Sequence, residues 1–130
     1  MGNLARKAAN FKRALTKLKE ASTELRERNN NEIVRDGLIQ RFEFTYELAW
    51  KATKEYLENM GIVEINSPKA VFKEAYAQKL VEDELIWLTL IKDRNETTHV
   101  YNEERSIEIA ERIVNQYIGA FDKLLTKVEQ

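Results

Sequence analysis

Apolar side chains recur along this chain at three- and four-residue steps, the spacing that lines one face of an α-helix. Ala8, Phe11, Leu15, Leu18 and Leu25 form one such stripe and predict a first helix with a single buried face. The stretch RNNNE at 28–32 breaks the pattern as a turn, with Asn31 placed to cap the next helix. That second helix is predicted from about Glu32 to Met60, with Gly61 as its stop signal. Its main stripe is Leu38, Phe42, Ala49, Thr53, Tyr56 and Met60. Phe44 and Leu48 lie well off that stripe, and Tyr46 and Trp50 widen the apolar surface further. A helix apolar on more than one side is buried on more than one side, which predicts a central position or a partner subunit.

The stretch INSPKAVFKEAYAQKL predicts a short third helix, capped by Ser67, with Pro68 in the first turn where no backbone donor is needed. Asp83 can open a fourth helix whose middle, LIWLTLI, is apolar almost all round and is therefore predicted to be central. Asn102 or Ser106 can cap a fifth, with Glu103 and Glu104 facing the positive end of its dipole. Its stripe is Ile107, Ala110, Val114, Tyr117, Phe121, Leu125 and Val128. GIVEIN is the nearest approach to a strand, and it is short. The pattern predicts an all-α antiparallel bundle of about five helices with a four-helix up-and-down core. It is expected to fold as one domain over residues 1–130 and to form a homodimer.

Composition narrows the chemistry. Four glycines and one proline leave few turn signals, in keeping with long helices. Without cysteine there is no disulfide framework, thiolate metal site or cysteine nucleophile. A single histidine excludes a multi-histidine zinc site within one chain. Carboxylate sites for a hard cation stay open in principle, but no metal and no cofactor is assigned. LIWLTLI is far too short to cross a bilayer and no signal-peptide pattern opens the chain, so a cytoplasmic protein is expected. The net charge is -1, so the molecule as a whole is not a polycation made for nucleic acid. Arg6, Lys7, Lys12, Arg13, Lys17 and Lys19 nevertheless fall in a segment without an acid. That basic surface could meet a phosphate backbone, but a solvated face balanced by neighbouring acidic helices is the favoured reading.

The single histidine lies in DRNETTHVY, residues 93–101, where the fourth helix should be ending. At about 100° per residue, Asn95 and His99 share a helix face while Arg94 points about 140° away from His99. The three converge only if the helix ends or loosens within NETTH, which two adjacent β-branched threonines favour. Such a cluster suits phosphate. An arginine fork grips phosphate oxygens, histidine moves protons near neutral pH, and asparagine can orient either. Together they could cleave RNA without a metal by activating the 2′-hydroxyl against the adjacent phosphate. The alternative is that Arg94 and His99 simply tie down carbonyls at a helix C-terminus.

RNETTHVY resembles the Arg-x4–6-His motif of the HEPN superfamily, in the Arg-x4-His-x-Tyr form of HEPN toxins paired with minimal nucleotidyltransferases. The second helix, LIQRFEFTYELAWKATKEYLENMG, is similar to the signature of one branch, the nucleotidyltransferase substrate-binding proteins. The resemblance covers essentially the whole chain. It implies a small antiparallel helical bundle that dimerises, with two copies of the motif facing one cleft. It also implies two functional pictures. In one, the protein is a metal-independent ribonuclease toxin in which Arg94 stabilises the phosphate, His99 handles the proton and Asn95 orients them. The partner nucleotidyltransferase then acts as antitoxin by adenylylating Tyr101. In the other, the protein is a non-catalytic subunit that binds RNA, nucleotide or another substrate in a cleft lined by Phe42, Glu43, Tyr46, Glu47 and Trp50. For Phe42 and Trp50, core or dimer packing is the simpler role. The chain departs from the toxin pattern in its acidity: NETT contains Glu96, and Asp93 and Glu103 flank the motif. Such acids are expected to weaken attraction for RNA near the site.

Overall fold

A computed structural model of the chain describes residues 2–98 and 102–130, and among the described residues there are helices and turns but no strand. Four helices come first: α1 (Gly2–Glu27), α2 (Glu32–Asn59), α3 (Pro68–Ala77) and α4 (Glu84–Glu96). The fifth is one unbroken run made of α5 (Glu103–Arg112), a π turn (Ile113–Tyr117) and α6 (Ile118–Val128).

The caps follow local side-chain chemistry. Asn31 accepts from the backbone N–H groups of Ile33 and Val34 at 2.9 and 3.2 Å. Ser67, Asp83 and Asn102 each accept from the N–H three residues on, at 3.2, 3.2 and 3.0 Å. Asn102, not Ser106, is therefore the cap of the last helix. At the end of α2, Gly61 has φ +92°. Its N–H reaches the Glu58 carbonyl at 2.9 Å, and the Ile62 N–H reaches Leu57 at 3.0 Å. This paired closure satisfies carbonyls that the helix leaves open.

One continuous core joins the helices. Phe121 of α6 is its hub: it meets Phe11 of α1 edge-on at 6.0 Å, Phe42 of α2 at 6.1 Å and Trp87 of α4 edge-on at 5.7 Å. Phe72 of α3 joins the cluster by packing 4.4 Å from Trp87. All five residues of the α1 stripe are buried, as are Leu38, Phe42, Ala49 and Thr53 of α2. Further along α2 the buried line passes through Ala52 and Leu57, leaving Tyr56 half-buried and Met60 exposed. The expectation that α4 is central fails. Trp87, Leu90 and Ile91 are buried, but Leu85 is 72% exposed and Leu88 lies at the surface. Phe44 on α2 is likewise 61% exposed, whereas Tyr46 is buried and Leu48 and Trp50 are partly buried against the core. In the last helix Ile113 is fully buried and Val114 only partly, while Ile107 is exposed.

The π turn explains that change of register and has a further effect. Asp93, near the end of α4, is only 1% exposed, and an unpaired carboxylate at such a position would be strongly destabilising. Arg112 donates from Nε and Nη2 to its two oxygens at 2.7 and 2.9 Å, and the Tyr117 hydroxyl donates to Oδ2. On a straight α-helix, residues five apart are turned about 140° from each other. The π turn, closed by the Ile118 N–H on the Ile113 carbonyl, brings Arg112 and Tyr117 to one side. The hydrogen bond to Asp93 holds the Arg112 guanidinium firmly protonated, and burial, reinforced by Asp93, holds the Tyr117 phenol above its ordinary pKa. Both therefore remain donors at neutral pH.

Asp93→Ala leaves Arg112 and Tyr117 without their acceptor and should lower unfolding free energy by about 3–5 kcal/mol in urea titrations, with Asp93→Asn intermediate. Gly61→Ala forces a side chain into the left-handed region at a site where an added Cβ meets nothing within 4 Å. Strain alone should then cost about 1–2 kcal/mol. Gly119→Ala in α6, also free of steric conflict, should instead raise the melting temperature by adding about 0.5–1 kcal/mol of stability.

Candidate functional site

The end of α4 is set by its two threonines. The Thr97 N–H makes the last helical bond, to the Asp93 carbonyl at 3.1 Å, and the chain then turns through Thr97 and Thr98. Their hydroxyls fold back on the helix, Thr97 Oγ1 to the Arg94 carbonyl at 2.8 Å and Thr98 Oγ1 to the Asn95 carbonyl at 2.9 Å. The helix thus stops before position 99, which the convergence of Arg94, Asn95 and His99 requires. His99 and Tyr101 themselves lie outside the described residues.

Arg94 leaves the last turn of α4 towards α2. Its side chain is 21% exposed, with Nη1 3.6 Å from Glu43 Oε2 and Nη2 3.9 Å from Glu47 Oε2. Its Cζ lies 5.7 Å from the centre of the Tyr46 ring. These distances give charge pairing without hydrogen bonds, and the buried Nε–H has no acceptor among the described residues. Glu43 is also engaged by Thr97, whose Oγ1 stands 2.6 Å from the same Oε2. The hydroxyl has one proton, so it serves either Glu43 or the Arg94 carbonyl at any moment. Burial, then the charge of Glu47, push the Tyr46 phenol up to about 12 against the opposing pull of Arg94, so it is neutral at physiological pH.

Beside this cluster an open groove of about 1040 Å³ runs between α2, α4 and α5, with Lys69 of α3 also lining it. Asp36, Ile39, Gln40 and Glu43 come from α2, and Leu88, Ile91, Lys92 and Asn95 from α4. Asn102, Arg105, Ser106 and Ile109 line it from the start of α5. Each set follows one helix face at i, i+3, i+4 and i+7. Asn95 is exposed and lines the groove, while Glu43 belongs both to the groove and to the Arg94 cluster. Thr98 and Asn102, which flank 99–101 in sequence, line it too.

Of the proposed cleft residues, Glu43, Tyr46 and Glu47 meet at Arg94, and Trp50 joins through its Nε1, 3.3 Å from Glu47 Oε1. Phe42 does not. It is fully buried and stacked on Tyr117 at 5.7 Å, so its role is packing. The acids flanking the motif are also less available than their sequence positions suggest. Asp93 is sealed by Arg112. Glu96 accepts from Arg105 Nε at 2.9 Å and from its Nη2, and Glu103 lies 3.5 Å from Arg35. The acids nearest Arg94 come instead from α2. Their four-residue spacing in EFTYE was the available signal, since two carboxylates on one helix face call for a cation opposite.

Elsewhere, half of the six basic residues within 6–19 of α1 have acidic partners, Lys7 2.8 Å from Glu55, Lys19 2.7 Å from Asp122 and Lys12 4.0 Å from Glu129. Among the described residues no group of histidines and carboxylates could hold a metal ion, and no helix is long and apolar enough to cross a membrane.

The chain matches the family described as nucleotidyltransferase substrate binding protein like over residues 6–130. It is 32% identical to the probable ribonuclease HepT of Haemophilus influenzae over 81 residues, 59% of this chain. That stretch spans only 56% of the relative's own length. A solved structure from Thermus thermophilus superimposes with a TM-score of 0.79 at 32% identity, over 92% of this chain and 99% of that one. A tri-AMPylated HEPN toxin of Shewanella oneidensis, solved in complex with an MNT antitoxin, superimposes with a TM-score of 0.79 over 99% of this chain and 98% of that one. At 14% identity this last likeness is one of fold. The family match extends through all the helices and through both stretches that carry the resemblance, so the chain belongs to the nucleotidyltransferase substrate-binding protein family.

Proposed function

We propose that this protein is a HEPN-type ribonuclease toxin, active as a homodimer and paired with a minimal nucleotidyltransferase. In this reading Arg94 stabilises the charge that builds on a phosphate, His99 moves the proton and Asn95 orients the reacting groups. The RNA is cut by attack of its own 2′-hydroxyl on the adjacent phosphorus, with the 5′-oxygen leaving. No metal or cofactor takes part. The observation that carries the reading is Arg94: a mostly buried guanidinium with charge partners but no hydrogen-bond acceptor among the described residues, at a helix end beside an open groove. Adenylylation of Tyr101 fits as the antitoxin step, since a bulky anion two residues from His99 would fill the site and repel substrate phosphate. The shared fold of the AMPylated Shewanella toxin supports this. The exposed Phe44, Leu85 and Leu88 support a second copy or another subunit as partner.

The groove favours a second reading, a non-catalytic subunit that presents a nucleotide or other substrate to the nucleotidyltransferase. Ile39, Leu88, Ile91 and Ile109 give it apolar walls, with polar groups from α2, α3, α4 and α5 around them. The family description agrees with this reading.

Two experiments separate them. Purified wild type should cleave RNA, with loss of about 10²–10⁴-fold in His99→Ala and a comparable loss in Arg94→Ala. Background cleavage, equal in all three, removes the ribonuclease reading, and a stable nucleotidyltransferase complex without cleavage leaves the second. Co-expression with the nucleotidyltransferase should raise the intact mass by one or more adenylyl groups in wild type and not in Tyr101→Phe. An unchanged wild-type mass would overturn the antitoxin step.

A further inference from the structure

The surroundings of Arg94 say what kind of anion it accepts. Four other buried or half-buried arginines in the chain make direct hydrogen bonds, Arg41 among them to the Lys17 carbonyl at 2.7 Å. Arg112 forks onto Asp93, Arg105 onto Glu96 and Glu108, and Arg35 donates to the Asn30 carbonyl at 3.1 Å. Arg94 alone among these is flanked by two carboxylates that stay 3.6 and 3.9 Å away. Glu43 is also engaged by Thr97, whose hydroxyl meets the same Oε2 that faces Arg94, and Glu47 accepts from the Trp50 indole through its other oxygen. The donors of Arg94 therefore remain able to fork onto an incoming oxygen pair, while its positive charge is already countered twice.

That combination separates charge from geometry. At a bare guanidinium, a second negative charge on the ligand roughly doubles the attraction. With two carboxylates a few ångströms behind, the attraction and repulsion felt by each added charge nearly cancel. Hydrogen-bond geometry then holds the ligand, and extra charge gains nothing. A phosphodiester carries one charge and a phosphate monoester close to two at neutral pH, yet both offer the same pair of oxygens to an arginine fork.

We propose that Glu43 and Glu47 determine specificity by setting the charge class of the anion at Arg94, favouring the singly charged internal phosphodiester of a strand over terminal phosphates and free mononucleotides. The proposal rests on the reading of Arg94 as a phosphate-binding residue. It explains how a net-acidic cluster is compatible with RNA: the carboxylates do not exclude the strand but remove the advantage of its competitors, which include small doubly charged phosphates.

The test uses two probes of nearly equal size, dimethyl phosphate with one charge and methyl phosphate with two, titrated at pH 8 while the Arg94 Nε–H resonance is followed by NMR. Full-length wild type, Glu47→Gln and Glu43→Gln/Glu47→Gln are compared. Glutamine keeps an oxygen for Thr97 and for Trp50, so the fold is retained, and circular dichroism verifies it. Wild type should hold dimethyl phosphate at least as tightly as methyl phosphate. In the double variant methyl phosphate should gain about tenfold relative to dimethyl phosphate, with a smaller gain in Glu47→Gln. An unchanged ratio, or no response of Arg94 to either probe, overturns the inference. A shifted ratio in a protein that cleaves no RNA keeps it and removes the ribonuclease reading. Cleavage with an unchanged ratio does the reverse.

Discussion

The buried Asp93 carboxylate fixes the position of α4, and with it the site. α4 is only 13 residues long and leaves Leu85 and Leu88 at the surface, so apolar burial alone holds it on one narrow face. The fork from Arg112 and the hydroxyl of Tyr117 supply a directional tie, and directional ties set rotation and register where a greasy contact tolerates sliding. Asp93 and Arg94 are consecutive, so their side chains leave the helix about 100° apart. Seating Asp93 against the π turn thus aims Arg94 at α2. Arg105 extends the same logic from α4 to α5, because it reaches Glu96 at the end of α4 and Glu108 within α5.

This gives the π turn a function that a helix assignment by itself would hide. A regular helix through 113–117 would turn Arg112 and Tyr117 to different sides, and one of them would lose Asp93. The extra residue in that turn is a local cost offset by three charge-strengthened hydrogen bonds to Asp93. The stacking of Phe42 on Tyr117 then carries the arrangement into the aromatic core around Phe121. Site geometry and core packing are therefore one problem in this fold, and a residue such as Phe42 can matter to the site without touching any ligand.

Much of the architecture was legible because its signals are local. Asn31, Ser67 and Asp83 cap helices for reasons contained in their own side chains, and the α1 stripe needs only one face to be buried. The π turn was not legible, since inserting one residue into a helix leaves a stripe that still reads as helical, with Val114 in the place that Ile113 takes. Nor was the exposure of Phe44, Leu85 and Leu88, because apolar sequence reports that a surface wants covering and not what covers it. At the site, the end of α4 could be read from its threonines. The roles of the acids could not. Asp93 and Glu96 look like a repulsive flank in sequence and are satisfied by arginines nine to nineteen residues away, whereas Glu43 and Glu47 look like an ordinary helix surface and are the acids that face Arg94.

Net charge is thus a poor guide to what this protein attracts, and pairing is a better one. Asp93 adds little outward field, because the Arg112 guanidinium forked onto its oxygens offsets its charge. Glu96 is held on Arg105. Glu43 and Glu47 differ in that both are partly exposed and both act on a cation whose hydrogen-bonding capacity is unused. A site built for tight electrostatic capture would place no carboxylate there, and one built as a structural salt bridge would place a hydrogen-bond acceptor on the guanidinium, as the Asn30 carbonyl is placed on Arg35. The observed distances fit neither, and they do fit a guanidinium that must exchange one set of oxygens for another without reorganising its surroundings.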